Sequence, residues 1–374
     1  MIFIPWFVPA YKAGGPIQSI ANLVDKYENA DFRIYTSNRD MDGSILPVET
    51  DRWLKYNTRT EVWYASKKNQ RINLMKHEVK SFVPDVIYIN GIYDWYFNFV
   101  PMVFITGTRR IIATRGMVHP NALKQKALKK RLYIKLLKSF KVQENSIFHG
   151  TNMAELVHIG EAFGSKVKRA FIAVNYPRLF KKQAMPLKTP GSLKLCTIAL
   201  ISPMKNHLKL LSELKEMTGE ICYHIYGPVR DPGYWKECLE VIASLPANIM
   251  VTYHGDLEPG RVEQILSECH VFIMPSESEN YGHSIVEALS AGRPVITSRN
   301  VPWGSLRENH AGININMDDP EENDNMKKHI NYFLNMGQSD IQVWSEGAHD
   351  YILSKQKLES VTEFYDGMFQ MELK

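Results

Sequence analysis

The sequence predicts an α/β protein of two successive Rossmann-like units, and three observations carry that reading. Short apolar runs without polar alternation recur along the chain, separated by amphipathic stretches, as strands buried on both faces of a parallel sheet require. One repeat is complete in outline: the run Val271–Met274, a polar loop, a helical stretch opening at His283 or Ser284, and the run Pro294–Thr297. Finally, 374 residues exceed one ordinary domain, and Lys181–Ser192, with two prolines, a glycine and little apolar content, separates the runs into two sets.

In the first set the expected strands lie near Ile2–Val8, Phe32–Thr36, Val62–Tyr64, Val86–Ile89, Arg110–Thr114 and Ile147–His149. In the second they lie near Leu193–Ala199, Cys222–Tyr226, Ile249–His254, Val271–Met274 and Val295–Ser298. Strands alternating with helical patterns argue for βαβ units and parallel sheets. We place the units at 1–183 and 184–345, with 346–374 as a closing helical segment.

Hydrophobic residues make up 44% and charged residues 23% of the chain, the balance of a globular protein with a core in each half. The opening Met1–Pro9 is apolar but short, lacks a basic flank and holds two prolines, so it reads as a first buried strand rather than a leader. Cys196, Cys222, Cys238 and Cys269 have no zinc-type spacing, and a reducing cytosol fits them best. Net charge is +5, which by itself names no partner. No aromatic stacking platform or helix-turn-helix pattern points to nucleic acid.

The most informative stretch is Pro275-Ser-Glu-Ser-Glu279-Asn280-Tyr281-Gly282-His283-Ser-Ile-Val-Glu287-Ala-Leu289, continuing to Ala291-Gly292-Arg293-Pro294-Val295. Its order of strand, loop, helix and strand puts the loop at the carboxyl edge of the sheet, where open α/β folds bind ligands. The helix start offers backbone N–H groups and a positive dipole end to an anion. Glu279 and Glu287 flank that turn as hydroxyl acceptors. Such a pocket suits a nucleotide sugar.

The stretch resembles the donor-binding motif of glycosyltransferase family 4, retaining enzymes of the GT-B fold. The resemblance implies two Rossmann-like domains facing across a cleft, with the C-terminal helix crossing back to the first domain. In it Glu279 and Glu287 match the family's two acids, Tyr281-Gly282 its aromatic-glycine pair, and Ala291–Val295 its tail. Ile201-Ser-Pro-Met-Lys205-Asn206 resembles the family's basic loop, whose lysine contacts the donor diphosphate, although Leu200 stands where the family usually has an arginine. Tyr226-Gly227 and His254-Gly255 resemble loops around the nucleobase, and also read as ordinary glycine turns. Val301–Leu306 with Ala311-Gly312 resembles a stretch of a bacterial branch, in which Trp303 reads as packing. In the first unit, Gly14-Gly15 resembles the amino-terminal loop that approaches the donor phosphate, glycine allowing a close backbone. Arg115 follows a strand and His149 ends one, and both stand as acceptor-side candidates or as structural groups, and Glu155 sits where the family carries an acid.

The implied reaction is retaining, metal-independent transfer of a hexose from a nucleoside-diphosphate sugar to a hydroxyl of a saccharide or lipid-linked saccharide, in bacterial surface polysaccharide synthesis. Lys205 and the amides of Asn280, Tyr281, Gly282 and His283 would hold the leaving diphosphate, Glu279 the sugar hydroxyls and Glu287 the ribose hydroxyls. No cofactor beyond the co-substrate is expected, with a UDP-sugar ahead of a GDP-sugar. Two other readings stay open: a sugar-nucleotide 2-epimerase, and a nucleotide-sugar-binding subunit impaired in catalysis, for which Leu200 speaks.

Residues 121–141 hold Lys124, Lys126, Lys129, Lys130, Arg131, Lys135, Lys138 and Lys141 among Leu123, Leu128, Leu132, Ile134, Leu136, Leu137 and Phe140. This basic amphipathic pattern fits a helix on an anionic membrane surface, and equally a solvated helix packed on its own sheet. The expected location is the cytoplasm, at the inner face of the cell membrane if the first of these holds.

Overall fold

The structure, a computed structural model, describes residues 1–124, 126–164, 166–317, 320–355 and 358–370. The chain divides into two units, 1–176 with 358–374, and 177–357. The passage between them thus falls a little before the expected residue 183, and the returning segment begins at 358 rather than 346. Its last residues, 371–374, lie outside the described ones, as does Gln125 of the basic segment.

In the first unit β1 (Ile2–Phe3) leads to α1 (Gly15–Lys26) and β2 (Phe32–Ser37). Next come β3 (Trp53–Lys55), β4 (Thr60–Ala65), α2 (Ile72–Phe82), β5 (Val86–Asn90), α3 (Val100–Phe104) and β6 (Arg109–Ala113). The set ends with α4 (Pro120–Lys124), α5 (Ala127–Ser139), β7 (Ile147–Gly150), α6 (Met153–Phe163) and β8 (Arg169–Ile172). The eight strands lie in the order β3-β4-β2-β1-β5-β6-β7-β8, parallel except for β3 on β4. Ile2, Ile34, Tyr88, Ile111 and Ile147 line one face of the sheet, and Phe3, Tyr35, Ile89, Ile112 and Phe148 the other. The last helix, Leu358–Gln370, closes the first of these layers with Val361, Tyr365 and Met368.

The second unit holds β9 (Ser192–Ile198), α7 (His207–Leu214), β10 (Glu220–Tyr226), α8 (Pro232–Ile242), β11 (Ile249–Tyr253) and α9 (Val262–Ser267). It continues through β12 (Val271–Met274), α10 (His283–Ser290), β13 (Val295–Ser298), β14 (Gly312–Ile315), α11 (Pro320–Leu334) and α12 (Gln338–Lys355). Its six strands are all parallel, ordered β11-β10-β9-β12-β13-β14. Leu195, Tyr223, Val271 and Ile296 pack with Leu210, Ile330, Phe333 and Trp344 from the covering helices.

The first strand is shorter than its apolar run. Beyond Phe3 the Ile4 N–H still reaches Tyr35 O at 3.3 Å and Pro5 O accepts from Ser37 N–H at 3.2 Å, but Pro5 has no N–H to continue the ladder. The sequence reading also passed over β3, β8 and β14. All three end a sheet, where a strand is covered on fewer sides and carries a weaker apolar signal.

Candidate functional site

In chain order the second sheet runs 3-2-1-4-5-6, so its direction of winding reverses between β9 and β12. A crevice opens at such a switch point outside the carboxyl ends of the strands. The loops following β9 and β12 meet there and are tied together. Asn206 Nδ2 donates to Pro275 O at 2.8 Å, and the Glu277 N–H donates to Met204 O at 2.9 Å. Asn206 holds φ at +54°, a left-handed conformation that asparagine tolerates better than most residues.

This seam brings Lys205 and Glu279 into contact, Nζ donating to Oε1. Their side chains are only 18% and 14% exposed, so the pair is largely withdrawn from water. Backbone bonding fixes both ends: Lys205 N–H donates to Ser202 O at 3.0 Å and Glu279 N–H to Asn300 O at 3.2 Å. A cation and an acid are thus held side by side at the switch point, each available to a ligand that replaces the other.

The turn into α10 requires glycine. Gly282 has φ +76°, and a Cβ there would stand 3.1 Å from Ile285 Cδ1. No side chain caps the helix, and the Gly282 carbonyl takes the Ile285 and Val286 N–H groups at 2.9 and 3.1 Å. The positive dipole end of the helix thus carries no side-chain cap, and it favours an anion. Asn280 and His283 are half-buried beside it. Tyr281 is buried, its ring edge-on to Trp303 at 5.4 Å while its carbonyl accepts the Trp303 indole N–H at 2.5 Å. The phenol side chain thus packs, and Tyr281 serves the turn through its backbone. Trp303 packs too.

Glu287 lies four residues beyond His283, on the same face of α10. It is 6% exposed, and burial pushes its carboxyl up to about 7 against the opposing pull of Arg178. Arg178 Nη1 stands 3.8 Å from Glu287 Oε1, attraction without a hydrogen bond. The guanidinium also lies 4.8 Å over the Phe180 ring and donates to Pro259 O at 3.1 Å. Arg178 escaped the sequence reading because it is remote in the chain and carries no local motif. Arg293, inside the matching tail, is fully buried and structural: Nε donates to Leu266 O at 2.6 Å and Nη2 to Ala184 O at 2.7 Å.

Two strands across, Tyr226 stacks on His254 with ring centroids 4.4 Å apart and planes at 7°. Gly227 next to it has no alternative, since a Cβ would meet Ala199 O at 2.0 Å. Leu200 is half-buried in the loop before Lys205.

In the first unit Gly14 has φ +67° and starts α1 with no side-chain cap, and Gly15 is the first helical residue. Arg115 and His149 belong to one internal network. Arg115 Nε donates to Asn90 Oδ1 at 2.7 Å, Nη1 to Asn175 Oδ1 at 2.6 Å and Nη2 to Tyr88 Oη at 2.9 Å. His149 is buried between Tyr88 Oη at 2.7 Å and Ala173 O at 2.8 Å, and burial lowers its pKa to about 4. Both ring nitrogens are engaged within the unit, so His149 reads as a structural group. Glu155 accepts from Gly116 N–H at 2.7 Å and Thr151 N–H at 2.8 Å, which holds the Arg115 loop in shape.

Residues 181–349, most of the second unit, match the family model described as glycosyl transferases group 1. Sulfoquinovosyl transferase SQD2 of Arabidopsis thaliana is 40% identical over 68 residues, which are 18% of this chain and 12% of that protein. The chain therefore spans only a small part of that relative. Among solved structures, sucrose-phosphate synthase from Thermosynechococcus elongatus is similar with a TM-score of 0.69, at 13% identity, over 95% of this chain and 91% of that one. WaaG, a glycosyltransferase involved in lipopolysaccharide biosynthesis, gives 0.67 at 13% identity over 99% and 98%. Anabaena Alr3699/HepE, solved with UDP and glucose, gives 0.68 at 13% identity over 98% of each chain. Most of the second unit thus matches the group 1 glycosyl transferase model, and the chain has the two-unit GT-B fold of these proteins.

Proposed function

We propose that this protein is a retaining glycosyltransferase that moves a hexose from a nucleoside-diphosphate sugar to a hydroxyl of a saccharide or lipid-linked saccharide in surface polysaccharide synthesis. The observation that carries the reading is the Lys205–Glu279 pair at the switch point beside the uncapped start of α10. On binding, the donor diphosphate takes the Lys205 ammonium and the first amides of α10, a preorganised electrostatic site for the leaving group. Glu279, released from Lys205, accepts hydrogen bonds from the sugar hydroxyls. Glu287 does the same for the ribose.

The bond from the anomeric carbon to the diphosphate oxygen breaks, and its electron pair stays with the diphosphate. The acceptor hydroxyl attacks from that same face, and its proton passes to the departing phosphate oxygen. No separate protein base is needed. A UDP-sugar is the favoured donor, and the UDP in the Alr3699/HepE structure supports that order. Leu200 favours the second reading, donor binding without turnover.

The test is incubation with UDP- and GDP-sugars in the presence of saccharide acceptors and EDTA, with the product anomer read by NMR. Transfer with retained configuration supports the proposal. Epimerised donor without acceptor points to the 2-epimerase, and donor bound but neither transferred nor hydrolysed points to the binding subunit.

A further inference from the structure

From α5 and its surroundings we infer a second working surface, one that rests on a bilayer containing anionic lipid. Helical geometry stacks Leu128, Leu132 and Leu136 in one ridge at i, i+4 spacing, and all three are exposed, by 72%, 57% and 41%. Arg131 and Lys135, both exposed, border the ridge on one side, and exposed Lys129 borders it on the other. The opposite face of α5 supplies Ile134 and Leu137 to the core of the first unit. Packing on its own sheet therefore accounts for that face and leaves the leucine ridge unexplained.

The patch extends beyond α5 in a way the sequence spacing did not suggest. Phe140, 48% exposed at the end of the helix, meets Phe99 at 6.0 Å between ring centroids. Phe99 in turn stacks on Trp95 at 4.5 Å and meets Phe104 at 6.2 Å. Trp95 is 60% exposed and Phe104 37%. Exposed Trp95, Phe104 and Phe140 thus surround the buried Phe99, and Phe140 lies one turn beyond Leu136 at the end of the leucine ridge. Isolated exposed apolar residues are ordinary, but a contiguous field with a polar border marks an interface.

Charge selects the occupant. From Pro120 to Val142 the chain carries eight cations and no acid, whereas the whole chain is only +5, so the remainder is net negative. The inward lysines have structural work: Lys130 Nζ donates to Ala122 O at 2.5 Å and Lys138 Nζ to Ala162 O at 3.4 Å. The outward ones stand around the ridge. A symmetric contact with a second copy would set like charges face to face. An anionic headgroup layer matches the border, and the acyl boundary beneath it matches leucine, phenylalanine and tryptophan. Among the described residues no helix is long and apolar enough to cross a membrane.

The experiment is co-sedimentation of the full chain with vesicles of phosphatidylcholine alone and of equal parts phosphatidylcholine and phosphatidylglycerol. Partition onto the anionic vesicles is expected, at least roughly tenfold above the neutral ones and falling with salt. Replacing Lys129, Arg131 and Lys135 by Gln should weaken it by roughly tenfold or more. Leu128→Ser with Leu132→Ser should weaken it comparably while leaving the charge intact, which separates insertion from simple attraction. Both sets of positions are exposed, and circular dichroism melts check that folding persists. The inference is overturned if the protein ignores anionic vesicles or if the serine pair binds them as the parent does. It is also overturned if light scattering finds a dimer that the serine pair turns into a monomer.

Discussion

Lys205 and Glu279 form an ion pair, so each substitution has a separable signature. Because the pair is largely withdrawn from water and Lys205 keeps its charge, Glu279→Gln should cost about 1–3 kcal/mol of stability, while transfer falls to a small fraction of the parent rate. Lys205→Met should lower kcat by roughly 100- to 1,000-fold, the scale for removing one donor to a developing anion. A structural pair would instead show matched losses of melting temperature with turnover intact, so kcat and thermal melts together decide the matter. Glu287 answers to pH. Its pKa rises from 4.5 in the unfolded chain to about 7 in the fold, so the folded state holds the proton more tightly. Stability from this group is present in full below about 4.5 and is lost as pH climbs to about 7, an effect of up to about 3 kcal/mol. Glu287→Gln should therefore match the parent near pH 5 and melt above it at pH 8, read by calorimetry. Donor binding should run the other way. An intact nucleoside-diphosphate sugar has no phosphate proton to lose in this range, yet its affinity should strengthen as pH rises through about 7 and the carboxylate becomes able to accept two ribose hydroxyls. That pH dependence should vanish in the Gln variant.

The elements beneath these residues depend on close backbone approaches that only glycine permits. At the carboxyl end of β10, Gly227 has φ +129° and passes Ala199 so closely that an added Cβ would lie 2.0 Å from its carbonyl oxygen. Gly227→Ala should destabilise the second unit by more than about 3 kcal/mol, measurable by urea melts, because backbone rather than a flexible side chain must move. Much of this architecture was legible in the chain. Strands buried on both faces need apolar residues, as Val271–Met274 has throughout and Val295–Ser298 has in Val295 and Ile296, so they announce themselves without any partner. The edge strand β3 reads Trp-Leu-Lys and is half exposed, so little distinguishes it from a loop. The same logic divides the site. Lys205, Glu279 and Gly282 sit in local strings whose order carries meaning, whereas Arg178 reaches Glu287 only through the fold. Arg115 follows a strand and His149 lies near the end of one, as ligand-binding residues do, but the partners that absorb them, Tyr88, Asn90 and Asn175, come from two other segments and have no sequence signal.

At the scale of the whole molecule the notable feature is that the first unit is completed by the last residues of the chain. Tyr365 is fully buried, stacked on Tyr176 at 5.3 Å and packed against Tyr27 at 6.0 Å. Tyr27 Oη donates to Asp366 Oδ1 at 2.6 Å, the Tyr176 and Thr362 hydroxyls bond at 2.8 Å, and Arg109 donates to the Phe369 carbonyl. The helix therefore fills a layer of the core that residues 1–176 leave open. Removing a buried aromatic of this size costs about 3–5 kcal/mol, a large share of the 5–15 kcal/mol that ordinarily holds a domain together. Tyr365→Ala should accordingly lower the melting temperature by roughly 10 °C. Hydrogen exchange should speed most in peptides from residues 1–176, and those from 177–357 should change little. A chain ended after Lys355 should go further, with exchange in residues 1–176 approaching that of an unfolded chain. Uniform loosening across both units in the Tyr365 variant would contradict this. So would full protection of residues 1–176 in the truncated chain, because a layer that folds without its lid was never missing one.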